Sequence, residues 1–445
     1  MDSLMGLEEL AQTDRRDDAA GDAIPWPDPM ADEAYHGLVG GIVRGVAPYT
    51  EADDAALLIN LLAGVGNIVG NGPRCYAGED CHQLKINAVL VGETAKGRKG
   101  SSMSPVQAIL RIVDRHYADW KIINGGLSTG EGLIWQIRDE ITQKQPIKEK
   151  SRVMGYEDVI IDPGVADKRL LVVESEFATA LKVATRQGNT LSPLIRKAWD
   201  SDILGSLTKN SPAKATGAHI SIIGHITRHE LEATLTECDQ ANGFANRFLW
   251  VCARRSKMLP DGARIPTAVL NALATRLHDV IDHAAGVGEV VRDDQAADLW
   301  RRVYPDLSAG RPGLLGAVLA RAEAQVMRLA CVYALLDRSA VVRPDHLMAA
   351  LAVWDYCVAS AAYIFGGATG DPVADRVMMA LGGGPMTQTD IYNALGRHTP
   401  AKAIRDALQR LSAAGKVTCQ RWGTAGRPKT VWAISDDAQK AQKAQ

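Results

Sequence analysis

The chain has 445 residues, more than one ordinary domain holds, so we expect two or three domains. Hydrophobic residues make up 46% and charged residues 23% of the chain, which is typical of a soluble globular protein. The formal net charge of −2 excludes a polycation that holds nucleic acid by its overall charge alone.

The charge is unevenly distributed, so nucleic acid is not excluded as a partner. Residues 1–36 contain ten acidic and two basic residues, whereas residues 373–445 contain eleven basic and five acidic residues. The sequence therefore predicts an acidic N-terminal arm and a basic C-terminal domain.

The seven cysteines are scattered and odd in number, which argues against a disulfide scaffold and for the reducing cytoplasm. Cys75, Cys81 and His82 could suggest a metal, but no second pair at ligand spacing follows, so we expect no zinc. The N-terminus lacks the basic and apolar regions of a secretory signal. The longest apolar run, residues 55–70, is too short and too polar to span a bilayer, which predicts a buried helix and no membrane partner.

Composition and turn residues divide the chain into segments. Residues 1–34 are acidic and interrupted by prolines, and a Gly- and Thr-rich stretch near residue 370 separates the last unit. The predicted segments are an acidic flexible arm (1–34), a helical N-terminal segment (35–72), an α/β core (73–265), a helical subdomain (266–365), a linker (366–372), a small basic domain (373–435) and a disordered tail (436–445).

Short apolar strands alternate with helical stretches in the core. They are continuous apolar runs, as expected for strands buried on both faces of a mostly parallel sheet. The pattern predicts a three-layer α/β fold. The predicted strands are Lys85–Val91, Leu170–Val173, His219–Gly224 and Phe248–Cys252.

A glycine- and lysine-rich segment follows the first of these strands and opens a helix, the context of a nucleotide-binding P-loop. Glycines let backbone N–H groups face phosphates, a lysine reaches the β and γ oxygens, and a serine hydroxyl binds Mg²⁺. The spacing departs from the usual motif, so Lys99 is the first choice for the lysine and Ser101 for the metal ligand; the alternative is a basic surface turn. The predicted nucleotide-binding residues are Gly92, Lys96, Gly97, Arg98, Lys99, Gly100, Ser101 and Ser102, with Lys96 and Ser102 as substitutes for Lys99 and Ser101.

The string from Gly97 to Ser102 resembles the variant Walker A motif of RecA-like ATPases found in phages, plasmids and integrated elements, among them primase-helicase and RepA-like hexameric helicase proteins. The likeness covers roughly residues 35–366, through further motifs at 126–134, 171–178, 220–227 and 243–250. It implies a RecA-like P-loop core that hydrolyses ATP with Mg²⁺ and assembles as a hexamer. That the chain also unwinds DNA as a helicase is a further inference, beyond ATP hydrolysis.

Three glutamates compete for the base that activates water. Glu131 is placed at the end of a predicted strand, as RecA-like helicases similarly place a catalytic glutamate; its alternative is a capping box with Ser128. Glu174 ends a hydrophobic strand, which is the Walker B pattern and makes it a candidate Mg²⁺ ligand. Glu176 is the rival base, or an acid in a helix capped by Ser175.

Two further residues are placed by the resemblance. His225, just past the strand that ends at Gly224, matches a residue that senses the γ-phosphate, although such a histidine is often merely hydrogen-bonded. Arg247 is a candidate finger for a neighbouring subunit's site, with an internal ion pair as the alternative and Arg321 and Arg328 as rivals. A finger in trans requires an oligomer, which a closed ring provides.

The C-terminal pattern predicts a winged helix. Its predicted helices are Val373–Leu381, one capped by Thr387 and Asp390 that ends at Ala394, and one from Pro400 to Ala414; its strands are Lys416–Trp422 and Lys429–Ile434. The predicted DNA contacts are Lys402, Arg405 and Gln409 on the third helix and Arg421, Arg427 and Lys429 in the wing. The alternative is a protein-docking or oligomerisation module.

Together these features favour an ATP- and Mg²⁺-dependent DNA-associated motor of a mobile genetic element, a hexameric helicase or replication initiator. Single-stranded DNA would pass through the ring, duplex DNA would bind the winged helix, and priming would need a separate partner. The alternatives are a nucleotide-switched DNA-binding or defence assembly that never unwinds, and an origin-binding adaptor with a degenerate P-loop.

Overall fold

The structure, a computed structural model, describes residues 25–93, 99–149, 152–206, 213–235, 243–311, 313–366, 372–396, 399–413, 415–422 and 429–435. It divides into two compact units. The first spans Pro27–Ile364, and the second takes in residues 25 and 26 together with the described residues from Phe365 onward. This division falls next to the predicted linker, of which residues 367–371 lie outside the described part, as do residues 1–24 of the predicted arm and the predicted tail.

The first unit contains a central sheet, its helices and several two-stranded ribbons. Between residues 37 and 174 its helices and strands are, in chain order, α1 (Gly37–Val46), α2 (Asp54–Ile68), β1 (Arg74–Ala77), β2 (Asp80–Gln83), β3 (Ala88–Gly92), α3 (Met103–Val113), α4 (Arg115–Trp120), β4 (Ile122–Asn124), α5 (Gly130–Trp135), β5 (Ile141–Glu149), β6 (Arg152–Asp162) and β7 (Arg169–Glu174). The remaining elements are α6 (Phe177–Ala184), α7 (Leu191–Asp200), β8 (Ile203–Ser206), β9 (Ala213–Thr216), β10 (His219–Thr227), α8 (Arg228–Thr234), β11 (Leu249–Cys252), α9 (Thr267–Ala285), β12 (Val291–Arg292), α10 (Asp294–Ser308), α11 (Gly313–Leu319), α12 (Ala322–Leu336), β13 (Val341–Val342) and α13 (Pro344–Phe365).

The central sheet has five parallel strands in the order β11-β3-β10-β7-β4. Strand β3 is buried along its whole length, because helices cover both faces of the sheet. On one face the His219 ring lies against the backbone oxygen of Gly66 in α2. On the other face Gly224 lies against Phe177 of α6. The predicted mixed α/β fold with a buried parallel sheet is confirmed, and its layering is compatible with a three-layer core.

All four predicted strands are present, but their boundaries differ from the predicted ones: strand β7 is longer by one residue at each end, and β3 ends one residue later, at Gly92. Strand β3 begins at Ala88 rather than Lys85, because the Lys85 N–H closes a turn onto the Gln83 carbonyl and the Ile222 N–H of β10 bonds to Oδ1 of Asn87, each at 2.8 Å. Strand β10 continues to Thr227, three residues beyond the predicted end, because it pairs with all of β3. Strand β11 starts after Phe248, whose N–H closes a short 3₁₀ turn onto Ala245.

Helix α2 is the buried helix that the apolar run predicts, and Asp53 caps it by accepting from the Ala55 N–H. Its two buried asparagines are both hydrogen-bonded. Asn67 donates to the carbonyls of Leu170 and His219 at 3.0 and 3.2 Å, and Asn60 donates to the Ser102 hydroxyl at 2.9 Å. These polar residues therefore fix the helix against the sheet.

Part of the predicted flexible arm is folded. Residues 32–35 form a 3₁₀ turn, and Met30 and Ala34 are buried, so the prediction was wrong for the described end of this segment. Sequence composition is a weak guide here, because acidic and proline-rich segments still fold where a few apolar side chains find a surface.

Helix α13 is long and apolar enough to cross a membrane by length and composition. Its polar groups bond inside the first unit instead: the Ser360 hydroxyl accepts from the Cys252 N–H, and the Tyr356 hydroxyl donates to the Cys252 carbonyl. More than half of its apolar window is buried, which is consistent with the core helix of a soluble protein.

The long ribbon β5–β6 was not predicted. Its strands pair antiparallel with two register shifts, and large apolar side chains such as Met154, Tyr156 and Ile160 are exposed on it. The register shifts and the interspersed Lys, Gln and Pro residues hide the alternation by which strands are recognised.

The second unit contains three helices and a three-stranded antiparallel sheet. Its elements are α14 (Pro372–Gly382), β14 (Met386–Thr387), α15 (Gln388–Ala394), α16 (Ala401–Ala413), β15 (Val417–Trp422) and β16 (Lys429–Ile434), with the strand order β14-β16-β15. Its core includes Val377, Ile391 and Leu408. The predicted capping box is present: Thr387 accepts from the Asp390 N–H, and the Asp390 carboxylate accepts from the Thr387 N–H.

Gly224→Ala is expected to destabilise the protein by about 1–3 kcal/mol, the usual cost of overpacking a filled core. An added Cβ would lie 2.6 Å from Cγ of Phe177, whose buried ring packs edge-on against Phe248. Urea unfolding of the purified variant measures the change. Gly155→Ala in strand β6 is the matched control, because nothing lies within 4 Å of its added Cβ. Equal stability of the two variants would contradict the packing described.

Candidate nucleotide-binding site

The carboxyl ends of the parallel strands meet at one edge of the sheet, where ligands bind in open α/β folds. Gly92 ends β3 and is buried, and Thr227 of β10 pairs with it. Lys96, Gly97 and Arg98 lie outside the described residues, while the backbone of Lys99 and Gly100 opens a 3₁₀ turn that leads into α3. The described residues therefore contain the predicted strand before this segment and the predicted helix after it.

The two candidate serines differ in burial. Ser102 is completely buried, and its hydroxyl accepts from Asn60 of α2, so it faces the interior. Ser101 is half-buried at the start of the same turn. Of the two hydroxyls, that of Ser101 is the better placed for a metal ion.

Glu174 lies at the same edge, at the end of β7, and is 6% exposed. Its Oε2 accepts from the Leu127 N–H at 3.3 Å, in the loop that follows β4. Gly125 in this loop has φ +79°, and its backbone passes beside Oε1. Within the described part of the chain Oε1 has no hydrogen-bond donor, which leaves it available to a cation. A carboxylate oxygen is a ligand that Mg²⁺ favours.

Glu131 is not at a strand end, so that prediction was wrong. It is in the first turn of α5, which Thr129 caps rather than Ser128. Its Oε2 accepts from the Thr190 hydroxyl at 2.8 Å, a contact that ties α5 to the start of α7. A 59-residue separation in sequence hides this partner from any local pattern.

Glu176 lies just past the strand, at the start of the next helix. Strand β7 ends at Glu174, so the alternation that would carry Glu176 to the same side does not continue. Glu176 is the N-cap residue of α6, where Ser175 was expected, and its side chain makes no capping bond. It is exposed at the same edge as Glu174.

His225 lies inside β10, not just past it, because the strand extends to Thr227. It is 4% exposed and pairs with Leu90, two residues before the end of β3. Gly224 pairs with Glu174, so strand alternation directs Glu174 and His225 to opposite faces of the sheet. This arrangement does not bring the two side chains together.

Arg247 forms the internal ion pair that was the alternative to a finger. Its guanidinium contacts the Asp200 carboxylate at 2.6 Å, and its side chain is 9% exposed. It precedes the amino end of β11, so it lies on the order of 15 Å from Gly92 at the end of β3, at the opposite edge of the sheet. Arg247 cannot reach the nucleotide site of its own chain.

Sequence reasoning missed a basic residue at the carboxyl edge. Arg228 directly follows β10, and its guanidinium lies 4.6 Å from the centroid of the Tyr363 ring. The Tyr363 hydroxyl donates to Glu93, the residue after β3, at 3.0 Å. The sequence could have revealed that Arg228 follows the end of a strand. It could not have revealed that Arg228 contacts Tyr363 of α13.

In the second unit the predicted DNA contacts divide into two groups. Lys402, Arg405 and Gln409 are exposed on one side of α16, opposite the buried Ile404 and Leu408. Lys429 is exposed at the start of β16, and the backbone of Arg421 lies in β15. Arg427 lies outside the described residues.

A cluster of His36, Asp337 and His346 has the donor types of a metal site. His346 Nδ1, however, accepts from the Arg343 backbone N–H at 3.0 Å, so a neutral ring carries its proton on Nε2. That N–H donates to Asp337 at 3.2 Å, and the Arg343 guanidinium contacts the same carboxylate. A proton and a cation therefore occupy the place that a metal would need.

The Asp337 cluster predicts a pH-dependent stability. Burial raises the pKa of the Asp337 carboxyl, but hydrogen bonds from His36 and His346 outweigh it and lower the pKa. The stabilisation is therefore complete above the unfolded pKa of about 3.9 and is lost as the pH falls through the lower, folded pKa. Asp337→Asn should cost about 1–3 kcal/mol at pH 7 and progressively less below pH 4 in urea unfolding. A difference that stays constant with pH, or that the exposed control Asp279→Asn reproduces, would contradict this role.

A groove of about 470 Å³ lies elsewhere, between residues 28–33 and α13. Its walls carry Asp28, Glu33 and Asp355 beside methionines, and burial raises the pKa of Asp355. Three carboxyl groups would repel phosphate, so this groove does not compete with the sheet edge as a nucleotide site.

No protein-family model and no curated protein matches the chain. The candidate site therefore depends on its own geometry.

Proposed function

We propose that the chain binds and hydrolyses ATP with Mg²⁺ and acts as a DNA-associated motor of a mobile genetic element, as a hexameric replicative helicase or replication initiator. One observation carries this proposal: a Gly- and Lys-rich segment leaves a buried parallel strand and enters a helix, at the sheet edge that also bears Glu174. Main-chain N–H groups, a lysine and a carboxylate at one edge suit a phosphate–Mg²⁺ group.

The strand order supports a RecA-like core. The chain leaves β3 for the far-edge strand β4 and later inserts β10 between β3 and β7. The chain leaves β10 for β11, on the other side of β3, so the connections that follow the adjacent strands β3 and β10 run in opposite directions and open a crevice at their carboxyl ends. ATP bound in this crevice would place its phosphates between the segment after Gly92 and Glu174.

Each residue then has a chemical role. Lys99 would hold the β and γ oxygens, and Ser101 and Glu174 would hold Mg²⁺, which neutralises charge on the phosphates. Glu176, exposed at the same edge, is the better placed of the two other glutamates to orient water, since Glu131 is engaged by Thr190. Arg228 adds a cation at the end of β10.

The second unit supports a winged helix. Three helices and a three-stranded antiparallel sheet follow one another as helix, short strand, helix, helix and β-hairpin. Its third helix presents Lys402, Arg405 and Gln409 to solvent, as a helix that enters a major groove would.

The proposed function also implies partners and a location. Single-stranded DNA would pass through the ring, and a separate primase would supply primers. The free thiols of the described cysteines support a cytoplasmic location.

Duplex DNA binding tests the role of the second unit. Replacing Lys402 and Arg405 by alanine is expected to weaken binding and to lower the slope of log K against log salt by about 2, because two phosphate contacts are lost. Lys257→Ala with Arg302→Ala, two exposed basic residues of the first unit, is the matched control. Unchanged binding in the first pair, with an altered oligomeric state, would instead indicate a docking module.

A further inference from the structure

Three arginines converge on one buried indole at the amino edge of the sheet. Trp199, at the end of α7, is 1% exposed. The Arg328 guanidinium carbon lies 3.6 Å from its ring centroid, and those of Arg247 and Arg321 each lie 5.9 Å away. Arg321 is the N-cap residue of α12, and it is half-buried, so the cluster reaches solvent there.

The positive charge of this cluster exceeds its acidic partners. Asp200 pairs with Arg247, whereas within the described ranges Arg328 donates only to the backbone carbonyls of Lys85 and Trp199. Arg321 makes no ion pair within the described residues. Burial lowers the pKa of Arg328 to about 10, and burial together with Arg328 lowers the pKa of Lys85 to about 7. Buried cations without a counter-ion are costly, so this region favours an added anion.

Several buried donors in the cluster also lack an acceptor. Nε1 of Trp199, Nε of Arg247 and Nε of Arg328 have no hydrogen-bond partner in the described part of the chain. Nearly all buried polar groups in proteins are hydrogen-bonded, so a group of unsatisfied N–H donors around one ring is unusual. The first turn of the 15-residue helix α12 adds N–H groups, and its N-cap makes no side-chain bond. A ligand with several acceptor oxygens would satisfy such a set.

We propose that the Trp199 cluster is a binding site for a phosphate-type oxyanion, with Arg321 as its entrance and main contact. Free phosphate is one source. The other is the phosphate of a nucleotide held by a second copy of the chain, and this source depends on the proposed function. The site is distinct from the nucleotide site of its own chain, because Arg247 and Lys85 precede strands β11 and β3, whereas the phosphate segment follows β3. Among the described residues, Asp200 is the one carboxylate that contacts these arginines.

Calorimetric titration with inorganic phosphate tests this site in the full-length protein. The titration uses Lys99→Ala protein, so that the predicted phosphate segment does not contribute. Adding Arg321→Gln is expected to weaken phosphate binding about tenfold or more, because a charged hydrogen-bond donor is lost. Arg321→Lys should restore part of the affinity. Arg302→Gln, the same change at an exposed position of α10, should leave binding unchanged.

Three results would overturn the proposal: no phosphate binding with Kd below about 1 mM, equal affinity with and without Arg321, or an equal loss with Arg302→Gln. Subunit mixing then separates the two sources. If Lys99→Ala and Arg321→Gln proteins hydrolyse ATP together but not alone, the ligand is the nucleotide of a second copy. If Arg321→Gln keeps full hydrolysis yet loses phosphate binding, the ligand is free phosphate, and the site stands whether or not the chain is a motor.

Discussion

Glu174→Gln is expected to lower the rate of ATP hydrolysis at least about a hundredfold, the usual effect of removing one group that stabilises charge in a transition state. Glu174 is buried at the carboxyl edge, and the Leu127 N–H fixes its Oε2. Glutamine keeps the shape and the bond to Leu127 but not the charge, so the fold and the binding of ATP should survive. Steady-state phosphate release and filter binding of labelled ATP measure the two properties.

The two other glutamates are the controls for this experiment. Glu131→Gln should reduce hydrolysis much less, since the Glu131 carboxylate is engaged by Thr190. Glu176→Gln should reduce hydrolysis without altering the Mg²⁺ dependence, if Glu176 orients water. Full activity of Glu174→Gln together with an inactive Glu131→Gln would assign the metal-binding or base role to Glu131 in α5.

Asp200→Ala is expected to destabilise the protein by about 3 kcal/mol, the lower end of the range for breaking a buried ion pair. The change leaves the Arg247 cation in a place where only 9% of its side chain is exposed. Arg247→Ala should cost less, because the Asp200 side chain is 39% exposed and water can solvate it. Urea unfolding of both single variants and the double variant gives the coupling energy of the pair.

The same variants decide whether Arg247 also acts in a neighbouring subunit. A structural ion pair predicts that Asp200→Ala and Arg247→Ala lower hydrolysis only as far as they lower stability or assembly. A finger predicts a stable, assembled Arg247→Ala protein that has lost hydrolysis while Asp200→Ala keeps it. A destabilisation below about 0.5 kcal/mol in both variants would contradict the ion pair as a stabilising contact.

The parts that were predictable from the sequence are those set by local patterns. Continuous apolar runs marked β3, β7, β10 and β11 as buried strands, since each run has few polar residues and clear turn signals beside it. The capping box of Thr387 and Asp390 marked the start of α15 in the same way. These signals depend on residues within one or two turns of each other.

The side chains of the candidate site were harder to place, because their partners are distant in sequence. Arg247 is separated by 47 residues from Asp200, and Tyr363 by 270 residues from Glu93. His225 was misplaced by a shift of three residues in a strand end, which moved it from the edge of the sheet into its interior. Tertiary packing determined each of these positions, so local periodicity in the sequence could not predict them.

Steady-state ATP hydrolysis with Mg²⁺, with and without single-stranded DNA, tests the central claim most directly when wild type and Lys99→Ala are compared. The proposed motor predicts turnover that rises with DNA and falls at least about a hundredfold in folded Lys99→Ala protein. Turnover that survives in folded Lys99→Ala protein, or no turnover by a well-folded wild-type oligomer, would contradict it.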